Sequence, residues 1–121
     1  MQDANHIAAA YIALWNETDA QNRQALMERD WTRDASYRDP LMAGSGPAEI
    51  SGLVAAVHDR FPGFVFGLSG AADGFGDQVR FSWGLGPKGA EPLIRGTDFV
   101  TVRDGLIATV TGFLDQVPDA A

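Results

Sequence analysis

The chain has no cysteine and a single lysine, Lys88, among 121 residues. The first absence excludes disulfides, thiolate metal sites and a cysteine nucleophile, and it is compatible with any compartment. The second leaves eight scattered arginines against 16 acidic residues, for a net charge of −7. Affinity for nucleic acid comes largely from clustered Lys and Arg, so nucleic acid is not an expected partner, and an anionic membrane surface is disfavoured for the same reason. Histidine is scarce as well: His6 and His58 have no companion at ligand spacing, and no metal is expected. No apolar run approaches the roughly 18 residues of a membrane span. Residues 1–10 lack the basic start and apolar block of a secretory signal, which predicts a cytoplasmic protein. There is no Gly-x-Ser-x-Gly. The glycine clusters at Gly44 to Gly46, Gly74 to Gly76 and Gly84 to Gly86 match neither a phosphate loop nor a dinucleotide fingerprint. They read as turns, and no cofactor is expected.

What remains is a chain of ordinary apolar content, 45% hydrophobic, long enough for one domain over residues 1–121. Its first half has helical periodicity. Asp3 can cap a helix running to Asn16, with Ile7, Tyr11, Leu14 and Trp15 on one face. Thr18 or Asp19 caps a second helix to about Asp30, with Leu26, Met27 and Trp31 as its apolar side. Leu41 to Gly46 reads as a loop. Pro47 then opens a third helix whose stripe is Ile50, Leu53, Val54, Val57 and Phe61, stopped by Pro62. His58 lies beside that stripe, where it could reach a cavity or serve as a hydrogen-bonded structural residue.

From Phe64 the period changes to two. Phe64 to Leu68, Gln78 to Leu85, Leu93 to Arg103 and Leu106 to Leu114 read as strands. The residues 72–77 read as a turn, and Asp104-Gly105 as a tight hairpin turn. Beyond Asp115 the tail is expected to fray.

Two acids stand out against this pattern. In Arg33 to Met42, alternation places Ala35, Tyr37 and Asp39 on one face of a short strand that Pro40 terminates. Asp39 can cap the turn, as Asp-Pro pairs commonly do, or stand at the mouth of an apolar cavity as an acid or base. In the strand from Gly96 to Arg103, Thr97, Phe99 and Thr101 share one face and Gly96, Asp98, Val100 and Val102 the other. Asp98 is a single acid on an apolar face. Burial of an unpaired carboxylate is costly, so Asp98 must be paired, for example with Arg80 or Arg95, protonated, or open to a pocket. Tyr11, turned inward among apolar neighbours, needs a partner for its hydroxyl, of which a backbone carbonyl is the simplest.

Five signatures occur in a recognisable order: Tyr11 with Asn16, Asp39-Pro40, the Ser-Gly-x-Ala-x-Ile of Ser45 to Ile50, Phe61-Pro62, and the Gly-x-Asp of Gly96 to Asp98. By these the chain resembles the nuclear transport factor 2-like superfamily, and within it the SnoaL-like polyketide cyclases and the ketosteroid isomerases, over nearly its whole length. The resemblance implies an α+β, cystatin-like cone in which a curved antiparallel sheet wraps three N-terminal helices and encloses a hydrophobic pocket. It implies enolate-type chemistry without a cofactor on a small hydrophobic carbonyl compound. Asp39 would be the proton-shuttling base, and Tyr11 with a protonated Asp98 would be the oxyanion donors, as in the ketosteroid isomerases. Trp15, Trp31, Tyr37, Met42, Val54, His58, Phe66, Trp83 and Val100 would wall the substrate. Val54 replaces the aromatic that supports the catalytic tyrosine in steroid isomerases. The Arg-x-Asp of the limonene-epoxide-hydrolase type is absent, because Arg95 stands three residues before Asp98. The alternative is a non-catalytic ligand-binding or dimeric interaction module. A homodimer is expected through the outer sheet face of Thr97, Phe99, Thr101, Ile107, Thr109 and Thr111.

Overall fold

In a computed structural model that describes residues 3–118, three helices lie against one face of a curved, unclosed sheet of seven strands. Helix α1 (Ala4–Asn16) starts where Asp3 accepts a hydrogen bond from the Asn5 amide, and its inward side carries Ile7, Tyr11, Leu14 and Trp15. Helix α2 (Ala20–Asp30) is capped by Asp19, whose Oδ1 accepts from the amides of Gln21 and Asn22. A side-chain acceptor at this position satisfies donors that the first turn leaves free. Helix α3 (Gly46–Arg60) has Pro47 in its first turn and buries Ile50 and Val54.

The strands are β1 (Trp31–Arg38), β2 (Ala43–Ser45), β3 (Phe64–Leu68), β4 (Asp73–Phe75), β5 (Gln78–Pro87), β6 (Ile94–Arg103) and β7 (Leu106–Gln116). Their order in the sheet is β2-β1-β7-β6-β5-β3, with β4 also pairing to β5. All pairs are antiparallel except β1 with β7. The sheet is therefore mixed, not antiparallel throughout. The parallel pair arises because β1, left over from the helical half of the chain, joins the sheet beside the last strand.

Four local expectations need correction. Trp31 does not extend the apolar side of α2; it is the first residue of β1, and it is buried there against Tyr11. The expected loop 41–46 contains β2, which is three residues long and pairs with β1. The expected turn 72–77 contains β4, a partner for the start of β5. Strands this short carry too little alternation to announce themselves. Finally β7 does not end at Leu114 but runs to Gln116; of the tail expected to fray beyond Asp115, residues 119–121 lie outside those described.

Ile107 also changes face. Thr101 pairs with Thr109 but Val102 pairs with Ile107, so Ala108 is an extra residue on β7. A bulge of this kind resets the alternation. Ile107 is fully buried on the inner face, whereas Thr109 stays outside. The Asp104-Gly105 turn forms as expected, both residues having positive φ, 54° and 80°, the conformation that matches the twist of a two-residue hairpin.

Asn16, the last residue of α1, ties the helical layer to the sheet. Its Nδ2 donates to the Phe66 carbonyl at 2.9 Å and its Oδ1 accepts from the Phe66 amide at 2.7 Å. One side-chain amide thus satisfies both backbone groups of a residue on β3 and fixes how α1 lies across the sheet.

Candidate functional site

Strand alternation brings Asp39 and Asp98 together. Asp98 is central on β6, opposite Phe81 of β5 and Gly112 of β7. Asp39 follows directly on β1, whose Arg38 pairs with Thr111, so it arrives beside Gly112. A Cβ at position 112 would lie 2.7 Å from Asp98 Oδ1 and 3.3 Å from Asp39 Cβ. The absence of a side chain at Gly112 leaves room for the Asp98 carboxyl and the Asp39 side chain beside β7. Residue spacing carries no sign of this role, because it depends on the register of β1 against β7.

The two acids live in different surroundings. Asp39, half-buried at the rim, caps its own turn: Oδ1 accepts from the amides of Leu41 at 2.8 Å and Met42 at 2.9 Å. Its Oδ2 accepts from the Tyr37 hydroxyl at 2.6 Å. The turn-capping and inward-facing readings of Asp39 hold together, one for each oxygen. Asp98 is fully buried, and among the described residues no cation pairs with it. Arg80 pairs instead with Asp73 and Arg95 with Glu91, both at the surface, so the expected ion-pair partners are engaged elsewhere. Asp98 Oδ1 accepts from the Trp83 indole N–H at 3.1 Å, while Oδ2 has no hydrogen-bond partner. The indole can lie there because Gly96, opposite Trp83 on β6, has no side chain to collide with it.

Electrostatics follow from this geometry. Burial pushes the Asp98 carboxyl up to about 6; the Tyr11 hydroxyl and the Trp83 N–H oppose that rise, and the charges of Asp39 and Asp115 add to it. Desolvation disfavours the charged form, and like charges nearby act in the same direction. Tyr11 is held well above the usual tyrosine range, first by burial and then by the charge of Asp98 and the proximity of Tyr37. Tyr37 is raised too, by burial, by Asp98 and by its hydrogen bond to Asp39. Both phenols therefore keep their protons at neutral pH and remain donors. Tyr11, expected to bond a backbone carbonyl, faces Asp98 and Tyr37 instead.

The residues expected as a substrate wall form one continuous apolar cluster. Trp15, Trp31, Tyr37, Val54, Phe66, Trp83 and Val100 are buried in it, and Met42 packs against it half-exposed. Ring centroids are 4.9 Å apart for Tyr11 and Phe81, 5.2 Å for Trp15 and Tyr37, and 5.4 Å for Phe66 and Trp83. These rings lie between the helices and the sheet. His58 is half-buried, and its Nε2, 2.7 Å from the Trp15 carbonyl, joins α3 to the end of α1. A cleft of about 240 Å³ lies over β3 and β5, and another of about 460 Å³ over β2, β1 and β7. Neither contains Asp98 or Asp39. Among the described residues no three side chains of metal-ligating type converge, and no helix is long and apolar enough to cross a membrane.

The model of the SnoaL-like domain family matches residues 8–110, which spans both acids and every element from α1 to the middle of β7. The chain belongs to the SnoaL-like family. Among solved structures, an inferred isomerase of this family from Agrobacterium tumefaciens is 40% identical, with 91% of this chain and 95% of that one covered and a TM-score of 0.86. An inferred ketosteroid isomerase from Kribbella flavida shares the fold at 18% identity, with 98% of this chain and 82% of that one covered and a TM-score of 0.69. An inferred polyketide cyclase from Sinorhizobium meliloti does so at 18% identity, with 88% and 93% covered and a TM-score of 0.69. No curated protein matches the chain in sequence. Membership of the SnoaL-like family establishes the fold, and one fold hosts many reactions.

Sequence reasoning named Asp39, Asp98 and Tyr11 as candidates, and three features of their surroundings were not among its expectations. The Tyr37 hydroxyl as a partner of Asp39 was within reach, since residues two apart on a strand share a face. The Trp83 indole bond and the clearance at Gly112 were not, because both cross from one strand to another.

Proposed function

We propose that this SnoaL-like protein is a cofactor-independent isomerase or cyclase that removes a proton beside a carbonyl in a small hydrophobic compound. The observation that carries the reading is the pair of carboxyl groups across Gly112, one hydrogen-bonded at the rim and one buried with a free oxygen. A buried acid on which desolvation holds the proton can act as a donor while a second carboxylate serves as base.

Asp39 Oδ2 takes the proton: a C–H bond breaks, an O–H bond forms, and the electron pair moves through the carbon to the carbonyl oxygen. The Tyr11 hydroxyl and the protonated Oδ2 of Asp98 donate to that oxyanion. In isomerisation the proton returns from Asp39 to a second carbon. In cyclisation the enolate carbon bonds to another carbonyl carbon, and the resulting alkoxide takes the proton. A positioned base is typically worth about 100 to 10,000-fold. The donor role of Asp98 depends on pH. In the free protein the protonated form is lost as pH rises through about 6, and an apolar ligand that covers the site strengthens the desolvation that holds the proton on. We propose further that two copies pair through the outer face of β6 and β7, where Phe99 and Phe113 are exposed and touch edge-to-face at 5.8 Å.

The test is proton exchange in deuterated water, followed by NMR on a panel of cyclic enones and β-diketones. The expected result is exchange beside a carbonyl in the presence of the protein and its loss with Asp39→Asn. If no compound exchanges, or if Asp39→Asn exchanges as fast as the parent, the reading is wrong.

A further inference from the structure

The hydroxyl of Tyr37 does something that its place in the core does not require. The ring is 96% buried and packs on Trp15, contacts a phenylalanine would make equally well. A buried hydroxyl is costly unless it is bonded, and this one donates to Asp39 Oδ2 at 2.6 Å. Because Oδ1 is held by two backbone amides of the turn, Oδ2 is the oxygen of Asp39 not committed to that turn. Tyr37 therefore contacts the one oxygen through which Asp39 can exchange a proton with anything in the interior.

We infer that Tyr37 is a positioning residue for Asp39, aiming Oδ2 inward and setting the pH at which it takes up a proton. The inference rests on the acid–base reading of the site. Three titratable groups face Tyr37: Asp39 from the turn after β1, Asp98 from β6 and Tyr11 from α1. Its partners across the sheet, Gly44 of β2 and Val110 of β7, bring none. During proton removal Tyr37 keeps its own proton. It donates to Oδ2 while that oxygen is anionic and accepts from it once the O–H bond has formed, its own hydrogen then turning toward Tyr11 and Asp98. Strand geometry makes the arrangement possible, since residues 37 and 39 share a face, and the ring packing of Trp15 restricts where the hydroxyl can point.

The experiment is a carboxyl-carbon NMR titration of the full chain, with Asp39 assigned by Asp39→Asn. In Tyr37→Phe the Asp39 midpoint should rise, because a donor to the charged form is lost. A second protein carries 3-fluorotyrosine at position 37 in a Tyr11→Phe background. It keeps the hydroxyl, makes it a stronger donor, and should lower the midpoint relative to Tyr11→Phe alone. A purely structural tyrosine would produce neither shift. The inference is overturned if the midpoint stays put in both proteins; if Tyr37→Phe does not fold, the fluorinated protein decides alone. The titration needs no turnover, so its outcome is separate from the exchange assay. Loss of the deuterium exchange result would remove the proposed reaction, whereas unmoved midpoints would remove only the role of Tyr37.

Discussion

Asp98 should make this protein less stable at neutral pH than in mild acid, and Asp98→Asn should remove that dependence. The carboxyl is completely buried, pairs with no cation among the described residues, and is raised from the ordinary aspartate range to about 6. The folded state holds this proton more tightly than the unfolded chain does. The associated stability is fully present below the unfolded value near 4 and is lost as pH rises through about 6. A shift of roughly two pK units corresponds to about 3 kcal/mol. For a domain of this size that is roughly 10 °C in Tm. The assay is urea unfolding of the parent and of Asp98→Asn at intervals from pH 4 to 7.5, taken as the difference between the two proteins so that other titrating groups cancel. The asparagine keeps an acceptor for the Trp83 indole and carries no charge to desolvate. The variant should be close to the parent, or slightly weaker, near pH 4, and should overtake it above pH 6. A difference that does not change with pH would refute the claim that Asp98 is buried without compensation, and with it the separation of the two acids into donor and base.

Other outcomes follow from the same geometry. If protonated Asp98 is an oxyanion donor, kcat/KM of the proposed reaction should fall as pH rises through about 6, since that ratio reports groups of the free enzyme; a profile flat from pH 5 to 7.5 would count against it. Gly112→Ala places a methyl carbon 2.7 Å from Asp98 Oδ1. It should abolish proton exchange while lowering stability by about 1 to 3 kcal/mol, read by parallel assays of exchange and unfolding. Asn16→Ala removes both hydrogen bonds to Phe66 and leaves those backbone groups exposed to desolvation cost; urea unfolding should show a loss of about 1 to 3 kcal/mol. Phe113→Glu should shift the sedimentation profile from dimer to monomer if the outer face of β6 and β7 is the pairing surface, with the far-UV spectrum unchanged.

The three helices, their caps and the faces of β1 and β6 were legible in the sequence because each is a local matter. Asp3, Asp19 and Pro47 act within one turn, and side chains alternate along any strand whatever its partner. The same locality explains why Tyr11, Asp39 and Asp98 could be named: a motif records which residue types occur in which order, and alternation says which way each faces. It explains the failures too. The strands β2 and β4 have three residues each and exist because β1 and β5 offer them hydrogen-bonding edges, so nothing within them announces a strand. Ile107 lies inside because one extra residue at Ala108 resets the alternation, and a bulge is visible only as a mismatch between two strands.

The sequence by itself determined that an acid would stand on an apolar strand face and another would end a strand on its inward side. Only the tertiary structure decided that these acids meet. Their meeting requires β1 to lie parallel to β7 with Arg38 beside Thr111, Gly112 to leave a gap where any other residue would fill it, and Gly96 to admit the Trp83 indole that holds Asp98. Register, clearance and desolvation are properties of strands in contact. One strand read alone contains none of them.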